Sequence, residues 1–259
     1  MKKKFIFFDI DNTLVSHVER PHIPQQTRQA VRLLKANGHV PAIATGRGSF
    51  LTFLTAKEFE INNLVCANGA EIFYEGQEIY KKFFPEEHLK KFLELAKIFP
   101  ELTAAVDEKF LYTNQSSGSF GKYFGAQAGY DCTKNLNELN RAVMCYLMIP
   151  PKYLEKTHGI FYSPPEGVIL EFMNAFTEAR HDNTSKWKGI EIFMQHTGAS
   201  LNDVITFGDG PNDIEMLKNA NPGVAVAGAS EKVKEAAGLI CGDIDEGGIL
   251  EACESLGLI

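Results

Sequence analysis

The sequence predicts an α/β fold in which a doubly wound, Rossmann-like parallel sheet is interrupted by an inserted α+β domain. Short apolar segments alternate with helical segments before residue 84 and again after residue 180, an order typical of parallel βαβ units. Between these parts, hairpin-like segments mix with helices, which indicates an antiparallel sheet in a separate lobe. We therefore expect three segments: core residues 1–83, the insertion 84–180 and core residues 181–259.

The first part of the core begins with Phe5–Phe8, four apolar residues between a lysine run and an acidic turn. Such a segment is expected to form a strand that is buried on both faces. Residues 14–24 contain two prolines and no clear period, which indicates a loop or flap. The pattern then predicts a helix over 24–37, a strand over 40–44, a helix over 50–59, a strand over 64–67 and a hairpin over 71–80.

The insertion begins with an amphipathic helix over 86–99, and strands are predicted within 103–113, 142–149 and 168–172, the last continuing towards Arg180. The core resumes with a helix over 185–196 that ends at Gly198. A buried strand, Val204–Phe207, then leads into the loop Gly208–Asp213. The last predicted elements are a helix over 214–219, a strand over 223–227, a helix over 231–237 and a terminal helix over 245–256.

Composition limits the classes of partner. The chain has 259 residues, an ordinary hydrophobic fraction of 44% and a net charge of -7, and its longest basic run is Lys2–Lys4. This argues against nucleic acid and anionic membranes as partners. Five cysteines without a CxxC pair indicate neither disulfides nor zinc. The apolar run before Asp9 is too short for a signal peptide, so we expect a cytoplasmic protein. The sequence assigns no oligomeric state.

Carboxylates follow the first strand. Asp9 and Asp11 stand two residues apart at its carboxyl end, and in open α/β sheets ligands bind outside the carboxyl ends of strands. Two like charges close to a buried strand are costly unless a cation compensates them. An acidic loop that caps a following helix is the alternative for this segment alone.

Two further groups can supply contacts to an anion. Thr45 and Gly46 end the second strand and offer a hydroxyl and an amide N–H to an anionic oxygen. The alternative is a helix N-cap by Thr45 or Ser49. Lys186 and Lys188 begin the helix that re-enters the core. Most lysines on a helix are solvated, and either of these two taken alone would be assumed to be so.

The loop Gly208–Asp213 again places a carboxylate, Asp209, directly after a buried strand, with Asp213 four residues further on. It matches neither GxGxxG nor GxxxxGK[ST], so a nucleotide-binding turn is not indicated. Together, Asp9, Asp11 and Asp209 supply the oxygen ligands that a small hard cation such as Mg²⁺ prefers. Such a cation would offset their repulsion and attract a phosphate.

These motifs resemble a known family. Asp9-x-Asp11-x-Thr13, Thr45-Gly46-Arg47, Lys186 and Gly208-Asp209-(x)2-Asn212-Asp213 are similar, in this order, to the four motifs of haloacid dehalogenase-superfamily phosphatases. The resemblance is closest to the Cof-type branch, whose members are mostly sugar-phosphate phosphatases. Only 34 positions separate Asp11 from Thr45, whereas a cap domain fits between Arg47 and Lys186. This spacing is that of the second (IIB) cap type.

The resemblance implies a role for each of these positions. Asp9 would attack phosphorus, and Asp11 would protonate the leaving oxygen and then activate water, which requires a raised pKa for Asp11. Mg²⁺ would be held by Asp9, Asp209 and the carbonyl oxygen of Asp11. The phosphoryl oxygens would be bound by Thr45, Gly46, Lys186 (with Lys188 as the alternative) and Asn212, with Asp213 and Arg47 in support. In the cap, Glu171, Asn174 and Arg180 lie near the returning linker and are candidates for substrate contacts, although a place at the surface or in a hinge is the favoured interpretation of each.

The expected function is therefore Mg²⁺-dependent hydrolysis of small phosphate monoesters, foremost sugar phosphates, through an aspartyl phosphate. A phosphomutase that uses the same aspartate pair is one alternative. A non-enzymatic phospho-aspartate switch is another, although the large insertion and the position of Asp11 argue against it. Halide displacement is disfavoured because it has no use for a general acid at Asp11.

Overall fold

A computed structural model of the chain describes residues 2–98, 103–106, 111–113, 133–135, 138–147, 168–172 and 177–259. The chain forms two compact units. One comprises Met1–Arg47, Thr52–Tyr80 and Ser185–Ile259, and the other comprises Gly48–Leu51 and Lys81–Thr184.

The strands are β1 (Phe5–Phe8), β2 (Val40–Ala44), β3 (Leu64–Cys66), β4 (Glu71–Tyr74), β5 (Gln77–Lys81), β6 (Thr103–Val106), β7 (Leu111–Thr113), β8 (Thr133–Asn135), β9 (Met144–Leu147), β10 (Val168–Phe172), β11 (Thr177–His181), β12 (Val204–Gly208), β13 (Gly223–Ala225) and β14 (Leu239–Ile240). The helices within the described ranges are α1 (Gln25–Ala36), α2 (Ser49–Glu58), α3 (Glu86–Ile98), α4 (Lys186–Thr197), α5 (Ile214–Asn219), α6 (Glu231–Ala236) and α7 (Gly248–Ser255).

The larger sheet has the strand order β14-β13-β12-β1-β2-β3-β4-β5. The six strands from β14 to β3 are parallel, and β4 turns back antiparallel to β3. The chain builds β2 and β3 on one side of β1 and later adds β12, β13 and β14 on the other. Such a reversal of strand order opens a crevice at the carboxyl ends of the central strands. The predicted parallel-dominated α/β fold is confirmed.

Both faces of this sheet are covered by helices. Successive side chains of β1 point to opposite faces, so Ile6 and Phe8 belong to one apolar cluster and Phe5 and Phe7 to another. Helix α1 supplies Ala30, Val31 and Leu34 to the first cluster, and α4 supplies Trp187, Ile190 and Phe193 to the second. The central strand is buried on both faces, as its unbroken apolar run predicts.

The second unit contains helix α3 and a six-stranded sheet with the order β10-β11-β9-β6-β7-β8. Its neighbouring strands are antiparallel, except that β7 and β8 are parallel. Strand β8 was not predicted, since its three residues are too few for a pattern to emerge. Parts of four predicted elements, residues 99, 107–110, 148–149 and 173–176, lie outside the described residues.

Two predictions near the C-terminus are corrected. The predicted terminal helix over 245–256 is divided, because Gly247 has φ +94° and separates a 3-10 turn, Ile244–Glu246, from α7. Strand β14 was not predicted, and its two residues are exposed at the sheet edge. Across the part of the chain that the structure describes, helices long and apolar enough to cross a lipid bilayer are absent. Four of the five cysteines lie in that part, and all four are free and buried.

Candidate active site

The candidate site lies at the carboxyl ends of three adjacent central strands. Strand β1 lies between β12 and β2, with Phe8 level with Phe207 on one side and with Ile43 on the other. Asp9 therefore leaves the sheet beside Asp209, and Thr45 follows β2 on the other side. The backbone N–H of Asp9 still donates to the carbonyl oxygen of Phe207 at 2.9 Å, which fixes the first residue after the strand.

A buried ion-pair network crosses this edge of the sheet. The Nζ atom of Lys186, at the first residue of α4, lies 2.6 Å from Oδ1 of Asp9 and 2.6 Å from Oδ1 of Asp213. The Lys186 side chain is only 1% exposed. Burial alone would lower the pKa of Lys186, but its ion pairs with Asp213 and Asp9 outweigh that effect and raise it. The two carboxylates thus favour the charged form of the ammonium that they hold between them.

Asp213 anchors the loop that carries Asp209. Its Oδ2 atom accepts the backbone N–H groups of Asp209 at 3.0 Å and Gly210 at 2.8 Å, while Oδ1 accepts from Lys186. A Cβ atom on Gly208 would lie 2.5 Å from Cγ of Asp213, so only glycine leaves room for this side chain. The glycine therefore admits Asp213, and with both its oxygens hydrogen-bonded this residue is suited to orient Lys186 and the loop.

Carboxylate oxygens of Asp9, Asp209 and Asp213 lie within 4.8 Å of one another. Burial raises the pKa of Asp9 well above its usual range, and the nearby Asp213, Asp209 and Asp11 raise it further while Lys186 opposes the shift. Burial and the charge of Asp213 also raise the pKa of Asp209 to about 6.

One ammonium therefore does not balance the negative charge at this edge. Asp209 accepts only long hydrogen bonds, from Nδ2 of Asn12 at 3.4 Å and from Oγ1 of Thr13 at 3.5 Å, among those the structure describes for its side chain. Carboxylate oxygens are suitable ligands for a hard divalent cation, and their negative charge here is not fully compensated. Such a cation would lower the pKa values of both Asp9 and Asp209.

Asp11 lies in a different environment from the one predicted. Its Oδ2 atom accepts from Nε of Arg47 at 2.9 Å, and Oδ1 accepts a second bond from the same guanidinium. Oδ1 also lies 2.7 Å from Nε2 of His17. Burial alone would raise the pKa of Asp11, but the bond to His17 and the charge and bonds of Arg47 lower it well below its usual range. The expectation of a raised pKa is wrong for this state, because the flanking groups are cationic or hydrogen-bond donors.

The residues predicted to bind phosphate also come together. Thr45 is buried, and its Oγ1 atom accepts the backbone N–H of Arg47 at 3.1 Å. A Cβ atom on Gly46 would lie 3.3 Å from Nδ2 of Asn212, so the two residues are direct neighbours. Asn212 in turn donates to Oδ1 of Asn68 at 3.2 Å. Gly46, which directly follows Thr45, and Asn212, from the loop that carries Asp209, are thus brought together at the carboxyl ends of β2 and β12.

The structure distinguishes Lys186 from its alternative Lys188, and it describes two of the three cap candidates. Lys188 is half-buried on α4, and its backbone N–H donates at 3.1 Å to Oγ of Ser185, which caps the helix. Lys186 alone of the two carries the ammonium that contacts Asp9. Arg180, in the second unit, donates to the carbonyl oxygen of Thr184. Glu171 lies on β10, level with Glu178 of β11, and Asn174 lies outside the described residues.

Two residues that contact predicted site residues, His17 beside Asp11 and Asn68 beside Asn212, were not predicted. His17 lies in a loop without periodicity, and no sequence signal links it to Asp11. Asn68 lies two residues beyond the end of β3, close to the strand end as Asp9, Thr45 and Asp209 are to theirs. The position of the Asn68-Gly69 turn at a strand end is the signal that could have identified it.

Comparison with known proteins assigns the family. The haloacid dehalogenase-like hydrolases match residues 6–253, which is nearly the whole chain. The chain therefore belongs to the haloacid dehalogenase-like hydrolases.

The relatives of the chain indicate which kind of haloacid dehalogenase-like hydrolase it resembles. YkrA of Bacillus subtilis (strain 168), provisionally named a phosphatase, is 30% identical over 261 residues that cover all of both chains. The structure of BT4131, a subclass IIB sugar phosphatase, has a TM-score of 0.85 and 30% identity, and the match covers 99% of this chain and 100% of that one. A further structure comes from a phosphoryl-transfer superfamily in which a trigonal-bipyramidal intermediate is conserved. It has a TM-score of 0.85 and 30% identity to this chain, and the match covers 100% of both chains. These likenesses place the protein among the Cof-type phosphatases of the superfamily.

Proposed function

We propose that this protein is a Mg²⁺-dependent phosphatase of the cytoplasm that hydrolyses small phosphate monoesters, foremost sugar phosphates, through an aspartyl-phosphate intermediate. The observation that carries the proposal is the buried ammonium of Lys186, held 2.6 Å from both Asp9 and Asp213 at the carboxyl ends of the central strands. The name of the sugar phosphatase BT4131, whose fold this chain shares, supports the class of substrate.

Asp9 is the proposed nucleophile. Because Lys186 holds Oδ1, the carboxylate keeps one orientation while it attacks phosphorus. The new bond joins a carboxylate oxygen to phosphorus, and the bond between phosphorus and the ester oxygen breaks. The leaving oxygen takes a proton and departs as an alcohol. Water then attacks the acyl phosphate, which releases inorganic phosphate and restores the carboxylate.

Asp11 is the proposed acid for the first step and base for the second. Arg47 and His17 hold its carboxylate in one place. An incoming phosphate dianion brings negative charge next to Asp11 and competes for Arg47. Both effects raise the pKa of Asp11 from its low value towards the range that a general acid needs.

Charge stabilisation is assigned to the groups around the acidic cluster. Thr45, Gly46, Lys186 and Asn212 surround the transferring phosphoryl oxygens, since this chemistry depends mainly on positioning and on compensation of charge. Asp9 and Asp209, with the carbonyl oxygen of Asp11, would hold Mg²⁺. When bound, the ion supplies positive charge to the phosphoryl oxygens and relieves the repulsion that raises the pKa values of Asp9 and Asp209.

The inserted residues 84–180 are proposed as the cap that chooses the substrate. Their separate, mostly antiparallel sheet is the kind of lobe that can exclude water and contact the part of the ester beyond phosphate. Under this proposal, substitutions in the cap change the preference among esters, while substitutions around Asp9 abolish the reaction for all of them.

A direct test is phosphate release from a panel of sugar phosphates, nucleotides and cofactor phosphates by the purified protein with Mg²⁺, with Asp9→Asn as the control. We expect many turnovers with the native protein and none with the variant. Phosphate release that requires an added bisphosphate would indicate a mutase, and a single stoichiometric burst would indicate a switch. Either outcome, or equal activity of the Asp9→Asn variant, would refute the proposal.

A further inference from the structure

A tight turn after β3 lies beside the proposed phosphate site without a role in the mechanism above. It comprises Ala67–Gly69, and both Ala67 (φ 49°) and Asn68 (φ 48°) adopt the left-handed conformation. Residues with a Cβ atom rarely adopt this conformation, and two in succession persist only where surrounding contacts hold them. Asn68 is 1% exposed. Backbone strain tends to cluster at functional sites, and ligands of parallel sheets bind at this edge, so the turn is a candidate for a role in the site.

One side of the turn is bonded to the loop after β2. The backbone N–H of Ala67 donates to the carbonyl oxygen of Arg47 at 2.8 Å, and that of Asn68 donates to the carbonyl oxygen of Thr45 at 3.0 Å. The turn thereby fixes the course of the chain on both sides of Gly46.

The other side of the turn lies against the helix that begins with Lys186. A Cβ atom on Gly69 would lie 2.3 Å from the carbonyl oxygen of Ser185, and one on Gly189 would lie 2.8 Å from Cα of Gly69. Gly69 also has φ +88°, so it needs to be glycine for its conformation as well as for space. The backbone of the turn is therefore in direct contact with the first turn of α4.

The Asn68 side chain completes the connection. Its Oδ1 atom accepts from Nδ2 of Asn212 at 3.2 Å. A Cβ atom on Gly46 would lie 3.3 Å from Nδ2 of Asn212 and 3.4 Å from Nδ2 of Asn68, so both carboxamides lie next to Gly46. Because Oδ1 of Asn68 accepts from Nδ2 of Asn212, this bond orients the Asn212 carboxamide with its nitrogen towards Asn68.

We propose that Asn68 is a positioning residue for phosphate binding. Its carboxamide holds Asn212 beside Gly46, and its left-handed backbone sets the spacing between the Thr45–Arg47 loop and the helix that carries Lys186. This inference rests on the proposed phosphatase function, in which Gly46, Lys186 and Asn212 bind the transferring phosphoryl group.

The test uses Asn68→Gly, which accepts the left-handed backbone and removes only the carboxamide. We expect kcat/KM for phosphate esters to fall about tenfold, the effect of one lost hydrogen bond on a buried polar group. The Kd of inorganic phosphate, measured by calorimetry with Mg²⁺ present, should rise by a similar factor. Asn62→Gly is the matched control, since Asn62 is exposed in the same unit, and both values should stay unchanged.

A double-mutant cycle separates positioning from a structural role. If Asn68 acts through Asn212, adding Asn68→Gly to Asn212→Ala should change kcat/KM and the phosphate Kd by less than about twofold. A full tenfold loss in both backgrounds, together with a lower melting temperature, would show a structural role and overturn the proposal. Unchanged phosphate affinity in Asn68→Gly would also overturn it. A native protein that binds phosphate but hydrolyses no ester would instead refute only the proposed phosphatase function.

Discussion

Replacing Lys186 by methionine tests the ion-pair network at its centre. The change keeps a long apolar side chain but removes the ammonium that lies 2.6 Å from Asp9 and 2.6 Å from Asp213. The two buried carboxylates then face each other without their cation. Removing one partner of a buried ion pair costs about 3–5 kcal/mol, because the remaining charge is left without compensation.

Protonation sets an upper limit to this loss and gives it a pH dependence. The ordinary pKa of an aspartate is 3.8, and holding one carboxyl protonated costs about 1.4 kcal/mol for each pH unit above that value. In the variant, the pKa of Asp9 rises further, because Lys186 no longer opposes burial and the neighbouring carboxylates. An acid with a raised folded-state pKa favours folding most at low pH, and stability falls as pH rises above the unfolded value. We therefore expect a loss of about 2 kcal/mol near pH 5.5 and about 4–5 kcal/mol near pH 8.

Urea unfolding at both pH values, with EDTA present, measures this loss. Lys188→Met is the matched control, because Lys188 is half-buried two residues further along the same helix, and its effect should stay within about 0.5 kcal/mol. With Mg²⁺ and a phosphate ester, kcat of Lys186→Met should fall by roughly 10²–10³-fold. Equal stability of the two variants near pH 8, or native activity of Lys186→Met, would refute the assignment of this network.

Four further predictions concern the acidic residues and the cation. Asp9→Asn should abolish turnover and leave the circular dichroism spectrum unchanged; residual multiple turnover would exclude Asp9 as the nucleophile. Chelation by EDTA should stop phosphate release, and added Mg²⁺ should restore it; activity in excess EDTA would contradict the metal assignment. Asp11→Asn should slow formation and breakdown of the phospho-enzyme, as measured by rapid quench; native rates would remove Asp11 from both steps. Arg47→Gln should raise the pKa of Asp11 and shift the alkaline limb of the kcat profile upward by about one unit; an unchanged limb would show that this limb does not report Asp11.

The local pattern of apolar residues was sufficient to predict the parallel-dominated α/β fold, although not every element in it. The apolar run Phe5–Phe8 predicts a fully buried strand, and side chains from both of its faces belong to apolar clusters. Helix α1 was predicted within one residue at each end, because Pro24 and Gly38 delimit it. Short or divided elements were missed, since β8 and β14 are too short to show a period and Gly247 interrupts a helical pattern through its left-handed backbone.

The sequence predicted those residues of the candidate site that stand directly after a recognisable strand. Asp9, Thr45 and Asp209 directly follow strands that proved to be adjacent, so one rule about strand ends grouped them. Their chemical roles stay predictions that the experiments above test. The pKa of Asp11 was predicted with the wrong sign, because Arg47 and His17 reach it from other loops.

The sequence by itself determined the alternation of strands and helices, the order of the motifs and the family, because these depend on residues close together in the chain. Tertiary structure decided which lysine is buried between carboxylates, which residues surround Asp11, and how Asn68 connects the proposed phosphate-binding segments. Those properties depend on burial and on contacts between residues far apart in the chain, such as Lys186 with Asp9 and Asn212 with Asn68.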